Sequence, residues 1–401
     1  MRHSLTIRSD SRTNNAPPER TAMQDQAEKP RVHGYRRAFI KHGGMAAAGA
    51  AIGLGLLAKG SSALAEEGGG VTRGDIAILT FLAAIETIEA DLWLQYAELG
   101  GVQDSEIPGL PTGGSAAYTA ALNNLDADMS QYIHDNTDDE FSHRDFLNSY
   151  LASKGAEPVN LDQFRTLPSS RATGANQIGR LTNLMELTVD TSWYTRYRSS
   201  GKNPDLNPGF RFPQAVPSLS SGQFPAIPVT NADLSPSGHI QAIANTAGFH
   251  FCFIEQGGSS LYPTLALNVS NLEVLRILLS IGPTETSHFQ TWHDKAGNAV
   301  SDPLAPLTDP NNPQLVFPNL NVAPFGGEEF QTNLIMPEPC PFLSRKFPAV
   351  SIIRPTSDQG GGAVATVNAF TKGGLFIGQH REFFELLADL ANDADRASRD
   401  N

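Results

Sequence analysis

Glu140-Phe141-Ser142-His143 recurs farther along the chain as Glu285-Thr286-Ser287-His288. Residues three apart on an α-helix share a face, with Cβ atoms about 5–6 Å apart, so each copy can aim a carboxylate and an imidazole at one point. One copy alone says little, because this pairing arises readily on solvated helix faces. Two further carboxylates change the reading. Glu86 lies in the apolar run Ile85 to Leu92, and Glu255 directly follows Phe249-His250-Phe251-Cys252-Phe253-Ile254. A glutamate in such surroundings is strongly disfavoured unless it is charge-paired or bound to metal. Two divalent ions bring four positive charges against four carboxylates and leave two neutral histidines as nitrogen donors.

Hydrophobic periodicity places all four carriers on helices. Apolar positions from Ile76 to Tyr96 predict a helix over Asp75 to Leu99, stopped by Gly100-Gly101. A second helical region runs from Ser115 to Ser153, with a break expected at the polar cluster Asp135-Asn136-Thr137, which suits a cap better than a helix interior. Asn176 to Arg198 also has helical spacing, through Leu181, Leu184, Met185, Val189, Trp193 and Tyr197. After a Pro-rich connection, helices are expected over Pro236 to Leu267 and Asn271 to Lys295. Beyond Asp302 prolines, a glycine run and short β-like pieces at Val350 to Ile353 and Ala363 to Val367 predict an irregular covering segment. A terminal amphipathic helix over Gln379 to Arg396 is expected to dock on the bundle.

The start of the chain reads as an address. Gly34-Tyr35-Arg36-Arg37-Ala38-Phe39-Ile40-Lys41, an Ala/Gly-rich run from Met45 to Ala58 and Ala63-Leu64-Ala65 resemble a bacterial twin-arginine export signal cleaved after Ala65. The apolar run is too short and too rich in glycine for a transmembrane anchor, so a periplasmic or secreted product is expected. The whole chain carries 29 Lys+Arg against 42 Asp+Glu; without the leader 19 face 38, a net charge of −19. A surface that acidic argues against nucleic-acid binding. The two cysteines, Cys252 and Cys340, make no disulfide framework. Three segments are therefore expected: a leader over residues 1–65, a bundle over 73–298 with an inserted helix and loop over 176–235, and an extension over 299–401.

One Glu from each of two helices, with Glu-x-x-His from each of two others, is the ligand set of two-metal carboxylate bundles. The segments around Glu86, Glu140, Glu255 and Glu285 resemble the four metal-bearing helices of the ferritin-like superfamily, and in particular exported bacterial ferritin-like domain proteins similar to plant desiccation-related proteins. The resemblance spans about Asp75 to Lys295. It implies a mainly α fold, a ferritin-like four-helix bundle, here with an inserted helix and a Pro/Gly-rich C-terminal extension ending in a helix. Carried over by position, it makes Glu86, Glu140, His143, Glu255, Glu285 and His288 the ligands of two iron or manganese ions, with Glu140 and Glu285 as bridges. Glu89, one turn beyond Glu86, is the alternative ligand on its helix. The inserted helix and long tail argue against a closed cage, while a homo-oligomer stays open.

Two adjacent ions can bind both oxygens of dioxygen or hydrogen peroxide, so ferroxidase or catalase-like redox chemistry is the leading functional expectation. The alternative is a non-catalytic stress or desiccation-related scaffold. Other residues carry plainer expectations: His250 and His293 as structural or supporting histidines, Cys252 as a small buried apolar residue, Glu186 as a surface group, and Tyr262 as a side chain able to face the pocket. Gly257 and Gly258 are expected to let helices approach or to admit a small oxidant.

Overall fold

Thr72 starts the first long helix with reciprocal hydrogen bonds to Asp75: the Asp75 N–H donates to Thr72 Oγ1 at 3.1 Å and the Thr72 N–H to Asp75 Oδ2 at 3.0 Å. The same carboxylate accepts the backbone and side chain of Ser270, each at 2.9 Å, and so ties this helix start to a turn nearly two hundred residues away. The computed structural model describes residues 70–102, 110, 112–196, 212–323, 336–338, 350–352 and 362–397. The expected leader, residues 1–65, lies outside the described residues, as does Cys340.

The helices are α1 (Arg73–Gly100), α2 (Ala116–Leu125), α3 (Met129–Ser153), the short α4 (Ser192–Arg196) and α5 (Pro217–Ser221), α6 (Ser237–Ala266), α7 (Leu272–Ala296), α8 (Ala363–Lys372) and α9 (Arg381–Asp395). The fold is mainly helical, and α1, α3, α6 and α7 form the four-helix bundle. Helix α1 packs along α3, and α6 along α7. Both pairs are antiparallel: the Val102 N–H reaches Ser130 O while Thr137 reaches Trp93 O, and Gly258 faces Glu285 while Gly248 faces Ala296. One long crossover, from Lys154 to Pro236, joins the pairs, the connectivity found in ferritin-like bundles. Two small antiparallel ribbons, β1 (Leu307–Thr308) with β2 (Val316–Phe317) and β3 (Met336–Glu338) with β4 (Val350–Ile352), belong to the C-terminal extension. Helix α9 docks on α1, as expected for the terminal helix. Among the described residues, no helix is long and apolar enough to cross a membrane.

Three local expectations are corrected. The break expected at Asp135-Asn136-Thr137 falls instead at Asp126–Asp128; Asn136 and Thr137 are buried inside α3, where Thr137 Oγ1 donates to Ile133 O at 2.7 Å. Ala363 to Val367 is helix, not strand, because the Asp395 carboxylate at the end of α9 accepts the N–H groups of Ala363 and Val364 at 2.7 and 2.9 Å.

The inserted helix over Asn176 to Arg198 is absent: its described part is irregular chain that ends in the short α4. The reason lies on α1. Asp91 Oδ2 accepts the N–H groups of Leu181 and Thr182 at 2.9 and 3.0 Å and the Thr182 hydroxyl at 2.8 Å, while its Oδ1 takes Arg165 at 2.6 Å. Further pairings, Leu167 with Arg180 and Leu187 with Phe224, use more of the backbone that a helix would need. Leu181, Leu184, Leu187 and Val189 are buried all the same, on non-helical chain.

Arg180 and Glu98 are both fully buried and meet at 2.5 Å, clamping this crossover to α1. Removing one partner of a buried pair leaves an uncompensated charge. Glu98→Ala is therefore expected to lower unfolding free energy by about 3–5 kcal/mol, read from urea denaturation.

Candidate metal centre

Burial decides what the six ionisable side chains can do. Glu86 on α1, Glu140 and His143 on α3, Glu255 on α6 and Glu285 on α7 are all buried, and His288 on α7 is nearly so. The helical spacing read from sequence brings all six together. Their oxygen and nitrogen atoms form two groups, Glu86, Glu140, His143 and Glu285 in one and Glu140, Glu255, Glu285 and His288 in the other, with the atoms of each group within 4.8 Å of one another. Glu140 and Glu285 belong to both. Each group takes three residues from one antiparallel helix pair and one from the other, so the centre has an approximate twofold pattern.

The Nδ1 atom of His143 lies 3.4 Å from Glu86 Oε2, 3.4 Å from Glu140 Oε2 and 3.2 Å from Glu285 Oε1. One ring nitrogen carries at most one hydrogen, so it cannot satisfy three carboxylates. Accordingly, Glu86 Oε2 and both oxygens of Glu285 are buried without an aligned hydrogen bond, close as His143 is. Unsatisfied buried carboxylate oxygens facing a histidine nitrogen are the donor set a hard or borderline cation takes up. His288 is more completely held. Its Nδ1 lies 3.2 Å from Glu255 Oε2 and 3.4 Å from Glu140 Oε1, while its Nε2 meets Asp139 Oδ2 at 3.0 Å. A carboxylate on the far ring nitrogen fixes imidazole orientation, as it does behind many metal-binding histidines.

A hydrogen-bond frame sets the carboxylates. Trp93 Nε1 donates to Glu255 Oε1 at 2.9 Å, and Tyr262 donates its hydroxyl hydrogen to Glu86 Oε1. Asn136 Nδ2 donates to Glu140 Oε1 and Glu255 Oε1 at 2.8 and 3.1 Å, and its Oδ1 accepts from Trp292 Nε1 at 2.7 Å. Gly258 makes room: a Cβ there would sit 2.4 Å from Glu285 Oε2. Gly257 faces away, toward Phe370.

Sequence reasoning did not assign Asn136 or Asp139 to this site. Asn136 was legible only as a capping residue, whereas the adjacency of Asp139 to Glu140 was a usable signal. Glu89 is buried but outside both groups. Glu186 is exposed and bonded to Asn183, His293 Nε2 lies 3.2 Å from Tyr194 O, and Cys252 is buried.

Charge balance in the metal-free centre falls to protons. Burial pushes Glu86 up to about 7, against the pull of His143. Burial, then Glu140, holds Glu285 well above the usual carboxylate range, and burial raises Glu255 against His288. Burial pushes Glu140 up too, but the hydrogen bonds of His143 and His288 outweigh it and hold this carboxyl well below its ordinary value. Burial opposes charge on His143 and His288, yet the carboxylates around them keep both protonated far above the usual imidazole range.

A four-helix bundle with an interior cluster of carboxylates and histidines is the class this architecture defines. The chain belongs to the ferritin-like domain family, whose profile matches residues 74–297, more than half of its length. No curated protein and no solved structure matches it.

A carboxyl raised by folding stabilises the fold fully below its ordinary value near 4.5, and that contribution is lost as pH rises through the folded value near 7. The metal-free protein is therefore expected to lose stability relative to Glu86→Gln over that interval in urea titrations; an unchanged difference would contradict this assignment.

Proposed function

We propose that the chain is an exported two-metal carboxylate protein that reacts iron or manganese with dioxygen or hydrogen peroxide. The observation that carries the reading is the pair of ligand groups sharing Glu140 and Glu285, with Glu285 and Glu86 oxygens left buried without an aligned hydrogen bond. Membership of the ferritin-like family supports it. In this arrangement Glu86 and His143 would hold one ion and Glu255 and His288 the other, with Glu140 and Glu285 shared between the two groups. When bound, the metal pair supplies paired one-electron changes and open positions for an oxygen ligand.

The protein's own groups prepare that chemistry. Glu140 is held ionised by two histidines, so it is a carboxylate able to accept a cation once those histidines lose their protons. To serve as nitrogen donors His143 and His288 would have to give up their protons, so metal uptake would release protons and strengthen as pH rises. Asn136 and Trp93 keep Glu255 from swinging, and Asp139 orients the His288 ring. The apolar side chains lining the helices exclude bulk water. The twin-arginine motif at Arg36-Arg37 supports export of the protein already folded, which lets metal be loaded before export.

Elemental analysis of protein purified without chelator tests the reading. Near-stoichiometric iron or manganese is expected in the wild type and its loss in Glu140→Ala plus Glu285→Ala. The loaded protein is expected to consume oxygen with Fe(II), or peroxide with Mn(II), and the double variant not to. Metal retained by that variant would overturn the ligand set.

A further inference from the structure

The indole N–H of Trp93 reaches the centre directly, at Glu255 Oε1. Its ring stacks on Trp292 with centroids 5.4 Å apart and 24° between planes. Trp292 in turn meets Tyr132 edge to face at 6.4 Å and 77°. These rings come from α1, α7 and α3, and all lie within the range of aromatic contact. The two tryptophans are buried, whereas Tyr132 is 37% exposed. They form one unbroken line of oxidisable rings from a candidate ligand to solvent. Electron exchange falls exponentially with the gap between donor and acceptor, so steps between touching rings outrun one jump over the whole span.

We propose that Tyr132, Trp292 and Trp93 are a one-electron relay carrying reducing equivalents from a small enediol or quinol reductant in solvent to the metal pair. The proposal rests on the redox reading of the centre. Trp93 gives an electron to the oxidised pair and is refilled by Trp292, which is refilled by Tyr132. Tyr132 releases its hydroxyl proton to water and is left as a neutral phenoxyl. The reductant returns one electron and water returns the proton. Two passes supply the two electrons that, with two protons, reduce one hydrogen peroxide to two waters.

Local charges fit this direction. Trp93 passes through a positively charged state beside the carboxylate it donates to. Lys295 Nζ sits 4.4 Å from the Tyr132 ring centroid, which disfavours a cationic ring and makes the proton leave with the electron. A buried competitor exists in Tyr96, 5.7 Å from Trp93, with its hydroxyl 2.7 Å from His250 Nδ1. Burial holds His250 down to about 3, so it resists taking a proton from Tyr96. Tyr132 has water to take its proton.

Pulse radiolysis with azide radicals on the full-length metal-free chain tests the relay without depending on metal loading. The wild type is expected to show a phase, independent of protein concentration, in which indolyl absorption converts to phenoxyl absorption. That phase is expected to be lost in Tyr132→Phe, which removes only the hydroxyl of a partly exposed ring, and in Trp292→Phe. It is expected to persist in Tyr96→Phe. Absence of the phase in the wild type, its persistence in Tyr132→Phe, or its loss in Tyr96→Phe overturns the relay. Failure to bind metal in the elemental analysis would instead sink the redox reading while leaving this result readable.

Discussion

Four carboxylates and two imidazoles are held out of water in the middle of an apolar bundle, and the rest of the structure is arranged around that constraint. Isolated buried charges are prohibitive, and even paired ones regain little of their lost hydration unless geometry and hydrogen bonding are good. Here His143 and His288 act as internal counterions, and Trp93, Asn136 and Tyr262 supply donors. Three carboxylate oxygens still lack aligned partners. The bundle thus keeps standing capacity for positive charge, and cations satisfy it better than protons because each can bind several oxygens at once.

The outer parts of the fold answer similar demands away from the centre. Asp91 and Glu98 lie about one and three turns past Glu86 on α1, and both are buried by the crossover that supplies Arg165, Arg180 and the N–H groups of Leu181 and Thr182. The crossover is irregular, yet it is ordered by polar groups it must satisfy. Its apolar residues fill the space between α1 and the C-terminal segment, where Asn183 and Thr188 pair with Leu375 and Gly373.

Much of the fold and of the site was legible because helical spacing translates local sequence into a common face. Glu140 and His143, Glu285 and His288, and the lone glutamates among apolar residues could be placed without knowing any long-range contact. What was not legible depended on distant partners. Asn136 resembles a capping residue until Glu255 and Trp292, on other helices, show what it bonds. Asn176 to Arg198 has helical period, but the buried Asp91 carboxylate, far earlier in the chain, captures backbone N–H groups in it. Ala363 to Val367, rich in β-branched and small residues, becomes helical because Asp395, contributed by α9, caps it.

The mixed origin of the ligand groups has a mechanical consequence. Since each group draws on both halves of the chain, an ion in either one is a cross-link between α1–α3 and α6–α7 that spans the crossover. Metal occupancy would then act as a clasp, and prying the halves apart would first require surrendering the ions.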